Sequence, residues 1–118
     1  MEYRYLGRSG LQVSALSLGA WVTFGEQVGE DIAYETMVET QKHGVNFFDT
    51  AEVYAEGRSE IAMGKAIKRA GWKRSDLVLS TKIFWGGEGV NDKGLSRKHI
   101  LEGLDASLAR LQLDYVDL

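Results

Sequence analysis

The sequence contains neither cysteine nor proline. Without cysteine the chain has no disulfide and no thiolate chemistry, which fits a reducing compartment such as the cytoplasm. Its net charge of -3 supplies no strongly positive surface to attract nucleic acid or an anionic membrane. No apolar stretch is long enough to span a bilayer, and no Cys, His and Asp grouping has metal-ligand spacing. The 118 residues, 44% of them hydrophobic, predict one small domain.

Short apolar runs alternate with helix-like segments along the rest of the chain. Two alternating runs on either side of residues 7–10, which include two glycines, predict a β-hairpin. After the hairpin the sequence predicts strands separated by helices: strands at 15–21, 45–49, 77–82 and 114–118, and helices at 31–43, 59–70 and 97–111. This order indicates a parallel sheet with crossover helices, either as an open sheet or as part of a barrel.

The predicted helices carry capping signals. Gly44 and Gly71 are typical of residues that end a helix, and Ser59 and Ser96 of residues that cap its start. The helix after Ser96 has the clearest apolar stripe, which we expect to face the core: Ile100, Leu101, Leu104, Leu108 and Leu111.

Two predicted strands end in opposite charges, Asp49 and Lys82. Functional groups gather at the carboxyl ends of parallel strands, and neighbouring strands lie about 4.8 Å apart. We therefore expect Asp49 and Lys82 to pair if their strands are neighbours, with Tyr54 folding back over them through a short loop. The alternative is purely structural, with a turn carboxylate, a loop aromatic and an edge charge.

This trio has a use in proton transfer. A free phenol has a pKa of about 10, so it is a poor proton donor to a carbonyl at neutral pH. A nearby ammonium stabilises the phenolate, and a carboxylate beside the ammonium keeps it protonated and oriented. The pattern predicts Tyr54 as a general acid, Lys82 as the group that tunes it and Asp49 as the anchor of Lys82.

Three segments, FFDTAEVY, STKIFWGG and GLSRKHILEGLDASLARLQLDYVDL, resemble the aldo-keto reductases, especially the branch with potassium-channel β subunits. The resemblance implies an α/β fold over residues 1–118: the N-terminal half of a (β/α)8 TIM barrel, with four strands and three helices, preceded by a β-hairpin. It also implies NADPH-dependent reduction of a small aldehyde or ketone. The family's catalytic Asp, Tyr and Lys fall on Asp49, Tyr54 and Lys82.

The resemblance also implies a partial cofactor and substrate site. Nicotinamide contacts fall on Ala20, Trp21, Gln27 and Asp49, although the channel branch usually has a hydroxyl residue where Ala20 stands. Trp85 falls in the substrate pocket, with simple packing as the alternative. The family's fourth catalytic residue, His or Asn, and its phosphate-binding loops come beyond Leu118. We therefore expect the 118-residue chain alone to bind NADPH weakly and to be inactive.

Neither histidine is expected in the catalytic site. His43 lies beside a predicted helix end and His99 lies within a predicted helix. We expect both side chains on the solvated surface, with His43 interacting favourably with the helix C-terminus.

Two other functions remain open. The chain could be a regulatory module that binds the cytoplasmic domain of an ion channel, or a half barrel that assembles with itself and has no activity. An open half barrel would leave sheet edges and the inner-face residues Val45, Phe47 and Val78 exposed. That exposure predicts a homo-oligomer.

Overall fold

A computed structural model describes residues 1–118. The chain begins with the predicted hairpin, in which β1 (Tyr3–Tyr5) pairs antiparallel with β2 (Gln12–Ser14). Gly7 and Gly10 in the turn have φ of 56° and 80°, a left-handed conformation that glycine adopts without steric cost. The hairpin prediction is confirmed.

The hairpin is followed by a three-stranded parallel sheet in the order β3-β4-β5. Each successive pair of strands is connected by a helix, and a third helix follows the last strand. The elements are β3 (Leu18–Gly19), α1 (Glu30–Lys42), β4 (Phe47–Asp49), α2 (Arg58–Ala70), β5 (Val78–Ser80) and α3 (Arg97–Leu111). This arrangement confirms the predicted α/β class with crossover helices.

The expected fourth strand is only partly formed. Residues 114–118 run beside β5, where the Asp117 amide donates to the Leu79 carbonyl at 2.9 Å and the Thr81 amide to the Leu118 carbonyl at 3.1 Å. The Leu79 amide, however, donates to the Asp117 carboxylate at 2.8 Å instead of to a backbone carbonyl. Because the Asp117 carboxylate takes the place of a backbone carbonyl in the hydrogen-bond ladder, the segment is extended but is not a regular strand.

The helix ends follow three of the four capping predictions. Gly44 and Gly71 have φ of 85° and 65° and end α1 and α2. The Ser96 hydroxyl accepts a hydrogen bond from the His99 amide at 3.0 Å, as expected of an N-cap.

The prediction that Ser59 caps α2 is wrong. The helix already begins at Arg58, and Ser59 is fully buried within its first turn. Its hydroxyl lies 3.2 Å from that of Thr50 and donates to the Ala20 carbonyl at 3.4 Å. Ser59 therefore satisfies polar groups at the end of the sheet, which leaves it unavailable to cap the helix.

The core lies between the parallel sheet and its helices. Its largest fully buried apolar side chains come from the loop after β3, from α1, α2 and the strands, and from the end of α3: Phe24, Met37, Phe48, Met63, Leu79 and Leu111. Two predicted apolar contacts of α3 are wrong, because Ile100 and Leu101 are 41% and 45% exposed. Leu111 is buried as predicted, and the other buried residues of α3 are His99, Gly103 and Ser107.

Two inner-face residues that we expected to be exposed, Val45 and Val78, are buried, and Phe47 is half-buried. The hairpin lies against the start of β4 and covers that end. The Ser14 amide donates to the side-chain oxygen of Asn46 at 2.8 Å, and the Tyr3 hydroxyl donates to the Gly44 carbonyl at 2.7 Å. Much of the exposure behind the homo-oligomer prediction is therefore absent, and oligomerisation stays a prediction.

No helix in the structure combines the length and the apolar composition that crossing a membrane requires.

Candidate functional site

Asp49 and Lys82 meet where β4 and β5 end. Asp49 lies in register with Ser80, two residues before Lys82. The Lys82 ammonium nitrogen, Nζ, lies 2.6 Å from Oδ2 of Asp49 and donates to the Thr50 carbonyl at 2.9 Å. The Ser80 hydroxyl donates to the other carboxylate oxygen, Oδ1. The expected pair is present because the two strands are parallel neighbours.

Tyr54 folds back over this pair. It begins a tight 3-10 turn, Tyr54–Gly57, and its amide donates to the Ala51 carbonyl at 3.1 Å. Nζ of Lys82 lies 4.9 Å from the centroid of the Tyr54 ring. Trp21 stacks on the Tyr54 ring, with ring centroids 6.1 Å apart and an interplanar angle of 21°. The structure thus brings the predicted acid, its tuning lysine and one predicted cofactor contact together.

The surroundings of Lys82 keep its side chain positively charged. Burial is the largest single influence and lowers the pKa of Lys82, but the hydrogen bonds and charges of Asp49 and Tyr54 outweigh it and raise that pKa above its usual value. The side chain is therefore an ammonium across the neutral range.

A cavity of about 300 Å³ opens beside Tyr54 and Lys82. Its walls are mostly apolar and aromatic: Trp21, Ala51, Val53, Tyr54, Lys82, Phe84 and Trp85. Trp85 packs edge-on against Phe84 with ring centroids 4.6 Å apart. A largely apolar cavity with a few polar groups is typical of a small-molecule site. Trp85 lies where a substrate contact is expected, and its role stays a prediction.

The predicted cofactor residues are not all gathered at this cavity. Ala20 is fully buried and does not line the cavity. Its amide donates to the Asp49 carbonyl at 2.9 Å, which stabilises the end of β4. Gln27 lies in a separate cavity of about 330 Å³ beside Arg58. Only Trp21 and Asp49 stand next to the Tyr54 ring or the Lys82 ammonium.

Three residues of the site were not singled out from the sequence. Ser80 had a usable signal, because strand alternation puts it on the same face as Lys82. Phe84 follows the strand closely enough to be considered with Trp85. Glu52 had no such signal, since a glutamate in a loop is ordinarily exposed, whereas this one is buried.

Comparison with known proteins identifies the family of the chain. The model of the Aldo/keto reductase family matches residues 15–118. The chain belongs to this family. The family membership expected from the sequence motifs is thereby confirmed.

This aldo/keto reductase chain is also similar to two plant proteins over all of its 118 residues. It is 64% identical to a "Probable voltage-gated potassium channel subunit beta" of Arabidopsis thaliana and 62% identical to a protein of the same name from Oryza sativa subsp. japonica. In each case the match covers 36% of the relative. The chain therefore spans little more than a third of the length of these relatives.

Proposed function

We propose that residues 1–118 supply the proton-donating part of an NADPH-dependent reductase of small aldehydes or ketones. The observation that carries the proposal is the contact of Lys82 with both Asp49 and the Tyr54 ring at the mouth of an apolar cavity. Membership of the aldo/keto reductase family supports the same reaction class.

In this reaction Tyr54 is the general acid. Its hydroxyl gives a proton to the carbonyl oxygen of the substrate, where negative charge develops, and the resulting phenolate then takes a proton from water, which regenerates the phenol. The Lys82 ammonium stabilises that phenolate, and Asp49 holds the ammonium in place. Apolar and aromatic side chains line the cavity beside these groups, where the substrate would lie.

NADPH, when bound, supplies the hydride that reduces the carbonyl carbon. The residues present fit its nicotinamide end, because Trp21 offers an aromatic face beside Tyr54 and Asp49 lies at the same strand end. Gln27 and Arg58 lie together at a second cavity, apart from this one.

The proposal is tested in a chimaera, because the chain matches 36% of its plant relatives. Residues 1–118 replace the matching segment of the Arabidopsis relative, and aldehyde reduction and NADPH affinity are measured. General acid catalysis contributes about 10²- to 10⁴-fold to a rate, so Tyr54→Phe should lower kcat by at least about 100-fold while the Kd for NADPH is retained.

The control is Tyr5→Phe, which removes the same hydroxyl from an exposed residue of the hairpin. Its kcat should equal that of the unmodified chimaera. If Tyr54→Phe reduced aldehydes as fast as this control, the assignment of Tyr54 as the acid would be wrong.

Lys82→Met tests the tuning role through pH. Because the raised pKa of Lys82 keeps its positive charge well past neutral pH, the unmodified site holds the phenolate-stabilising charge throughout the working range. Removing the charge should lower kcat and should move the alkaline loss of activity to higher pH, because no ammonium then stabilises the negative charge of the proposed phenolate. A profile that moves to lower pH, or stays unchanged, contradicts the role of Lys82.

A second candidate is a regulatory module of an ion channel, which is favoured by the names of the two plant relatives. The same chimaera would bind the cytoplasmic domain of a potassium channel and would turn over aldehydes slowly or not at all. A pull-down with such a domain, run beside the aldehyde assay, separates the two functions. Binding that survives Tyr54→Phe would show that channel association does not depend on the reductase chemistry.

A further inference from the structure

Glu52 is a buried carboxylate between the two loops that frame the candidate site. It lies between Asp49 and Tyr54 in the chain and is 6% exposed. One oxygen, Oε1, accepts a hydrogen bond from the Phe84 amide at 2.6 Å and lies 3.0 Å from Nε2 of His99. The backbone amide of Glu52 also donates to the Lys82 carbonyl at 3.2 Å. One residue thus connects the Tyr54 loop to the loop after β5.

His99 is the other half of this contact, and its predicted place on the surface is wrong. It is 5% exposed in the first turn of α3, where the Ser96 cap fixes its backbone. An ionised carboxylate only accepts hydrogen bonds, so Nε2 of His99 carries the hydrogen when Glu52 is ionised. A buried carboxylate is costly unless it has such partners. The pair therefore connects the Tyr54 loop to α3 as well.

Two glycines leave the space that the pair occupies. A Cβ atom on Gly103 would lie 3.0 Å from Oε2 of Glu52 and 2.9 Å from Cγ2 of Ile83. A Cβ atom on Gly86 would lie 2.7 Å from Cε1 of His99. All three distances are shorter than ordinary van der Waals contact, so the surrounding backbone is closely fitted to the pair.

The backbone immediately after Tyr54 needs such support. Ala55 and Glu56 have φ of 49° and 55°, a left-handed conformation that residues with a Cβ atom rarely adopt. Strained backbone of this kind persists where the surrounding structure fixes it, and it is common at functional sites. The exposed side chain of Glu56 makes only an ion pair with Arg58 at 3.5 Å. Glu52 provides the buried anchor of this loop.

We propose that Glu52 and His99 are positioning residues, which hold Tyr54 over Lys82 by fixing its loop to Phe84 and to α3. The inference rests on the proposed reductase function, because the quantity it explains is the placement of the acid. It assigns no contact with substrate or cofactor to either residue.

The test compares variants in the chimaera described above, with kcat expressed per NADPH-binding site so that misfolded protein is not counted. Misplacing a reacting group by 1 Å can cost about 100-fold, so Glu52→Ala and His99→Ala should each lower kcat by about 10- to 100-fold, with the Kd for NADPH little changed. The double variant should be no slower than the worse single variant, because residues that act as one unit are not additive. Glu52→Gln keeps the acceptor oxygen and should restore most of the rate.

Glu102→Gln is the matched control. Glu102 lines a third cavity, of about 550 Å³, together with Glu52 and His99, but its side chain is 64% exposed and pairs only with Lys98. This variant should keep the unmodified kcat. If Glu52→Ala lowered only the number of NADPH-binding sites and left kcat per site unchanged, the positioning role would be overturned in favour of plain structural support.

Amide hydrogen exchange gives a readout that does not require catalysis. The Phe84 amide should exchange faster in Glu52→Ala than in Glu102→Gln, and unchanged exchange would overturn the anchoring contact. If the unmodified chimaera binds NADPH but does not reduce aldehydes, the proposed function fails, whereas the Phe84 exchange rate still decides whether Glu52 fixes the loop.

Discussion

Helices α2 and α3 pack into the same core in opposite ways. The 13-residue α2 buries a broad face that includes the large apolar side chains of Met63 and Ile67. The longer α3 buries only four residues: His99, Gly103, Ser107 and Leu111. Of these, only Leu111 has a large apolar side chain. The other apolar residues of α3 are half-buried or exposed.

The difference shows that apolar spacing identifies a helix without identifying its packed face. The face of α3 is chosen by close approach: Cβ atoms on Gly64 and Gly103 would lie 2.4 Å from the Leu111 carbonyl and 2.9 Å from Ile83. Small residues allow this approach, and the buried His99–Glu52 contact then fixes the orientation. On α2, the burial of large side chains decides the packed face instead.

The largest effect is expected from Met63→Ala in α2. Met63 is fully buried in the core, and truncating a buried methionine to alanine costs about 2–5 kcal/mol through lost burial and the cavity left behind. Urea denaturation measures the change in the free energy of unfolding, at one protein concentration because association alters apparent stability. A loss below about 1 kcal/mol would mean that α2 is not held by its large side chains.

Gly64→Ala should have the next largest effect, because it breaks the contact between the two helices. Alanine is intrinsically better than glycine in a helix by about 1 kcal/mol. Here its Cβ atom would meet backbone atoms of Leu111, which cannot rotate away. We expect a net loss of about 1–3 kcal/mol in the same urea experiment. A gain in stability would show that α2 and α3 separate without cost.

Gly103→Ala should cost less than Gly64→Ala, because the atoms that it meets belong to the side chains of Ile83 and Glu52. Side chains can shift, and the helix-propensity gain offsets much of the strain, so the net loss should be within about 1 kcal/mol. In the chimaera, this variant should nevertheless lower kcat, because it pushes on Glu52. A variant with unchanged stability and unchanged kcat would contradict the close fit around that carboxylate.

Leu101→Ala should have the smallest effect. Leu101 lies on the exposed side of α3, and surface substitutions usually change stability by no more than about 0.5 kcal/mol. The midpoint of urea denaturation of Leu101→Ala should equal that of the unmodified chain. A loss comparable with that of Met63→Ala would reveal a partner, such as a second copy of the chain, that covers this side of α3.

Most of the fold and the central pair of the site were accessible from the sequence. Alternation of strand and helix patterns predicted the parallel sheet, and strand alternation put Asp49 and Lys82 at neighbouring strand ends. Local rules also identified Gly71 and Ser96 as helix ends, because capping depends on the few residues around it. The hairpin was predicted correctly for the same reason.

What the sequence did not predict depends on contacts between distant segments. The use of the Ser59 hydroxyl is decided by Thr50 and Ala20, which α2 approaches only in the folded chain. The burial of His99 is decided by Glu52, which is 47 residues away in the chain. Contacts between such separated residues produce no local pattern in the sequence. A capping rule or an apolar stripe therefore assigns these side chains incorrectly.

The adjacency of β4 and β5 also has a consequence for the order of folding. Asp49, Tyr54 and Lys82 all belong to one strand–helix–strand unit, so their assembly needs only contacts of modest sequence separation, which form fastest. The link from Glu52 to α3 joins more distant segments and closes a longer loop. We expect the Thr50 amide, which donates to the Ser80 carbonyl at 3.0 Å, to become protected in pulse-labelled exchange during refolding before the Asp117 amide, which follows α3 and donates to the Leu79 carbonyl at 2.9 Å. The reverse order would show that the segment after α3 docks before the ion pair forms.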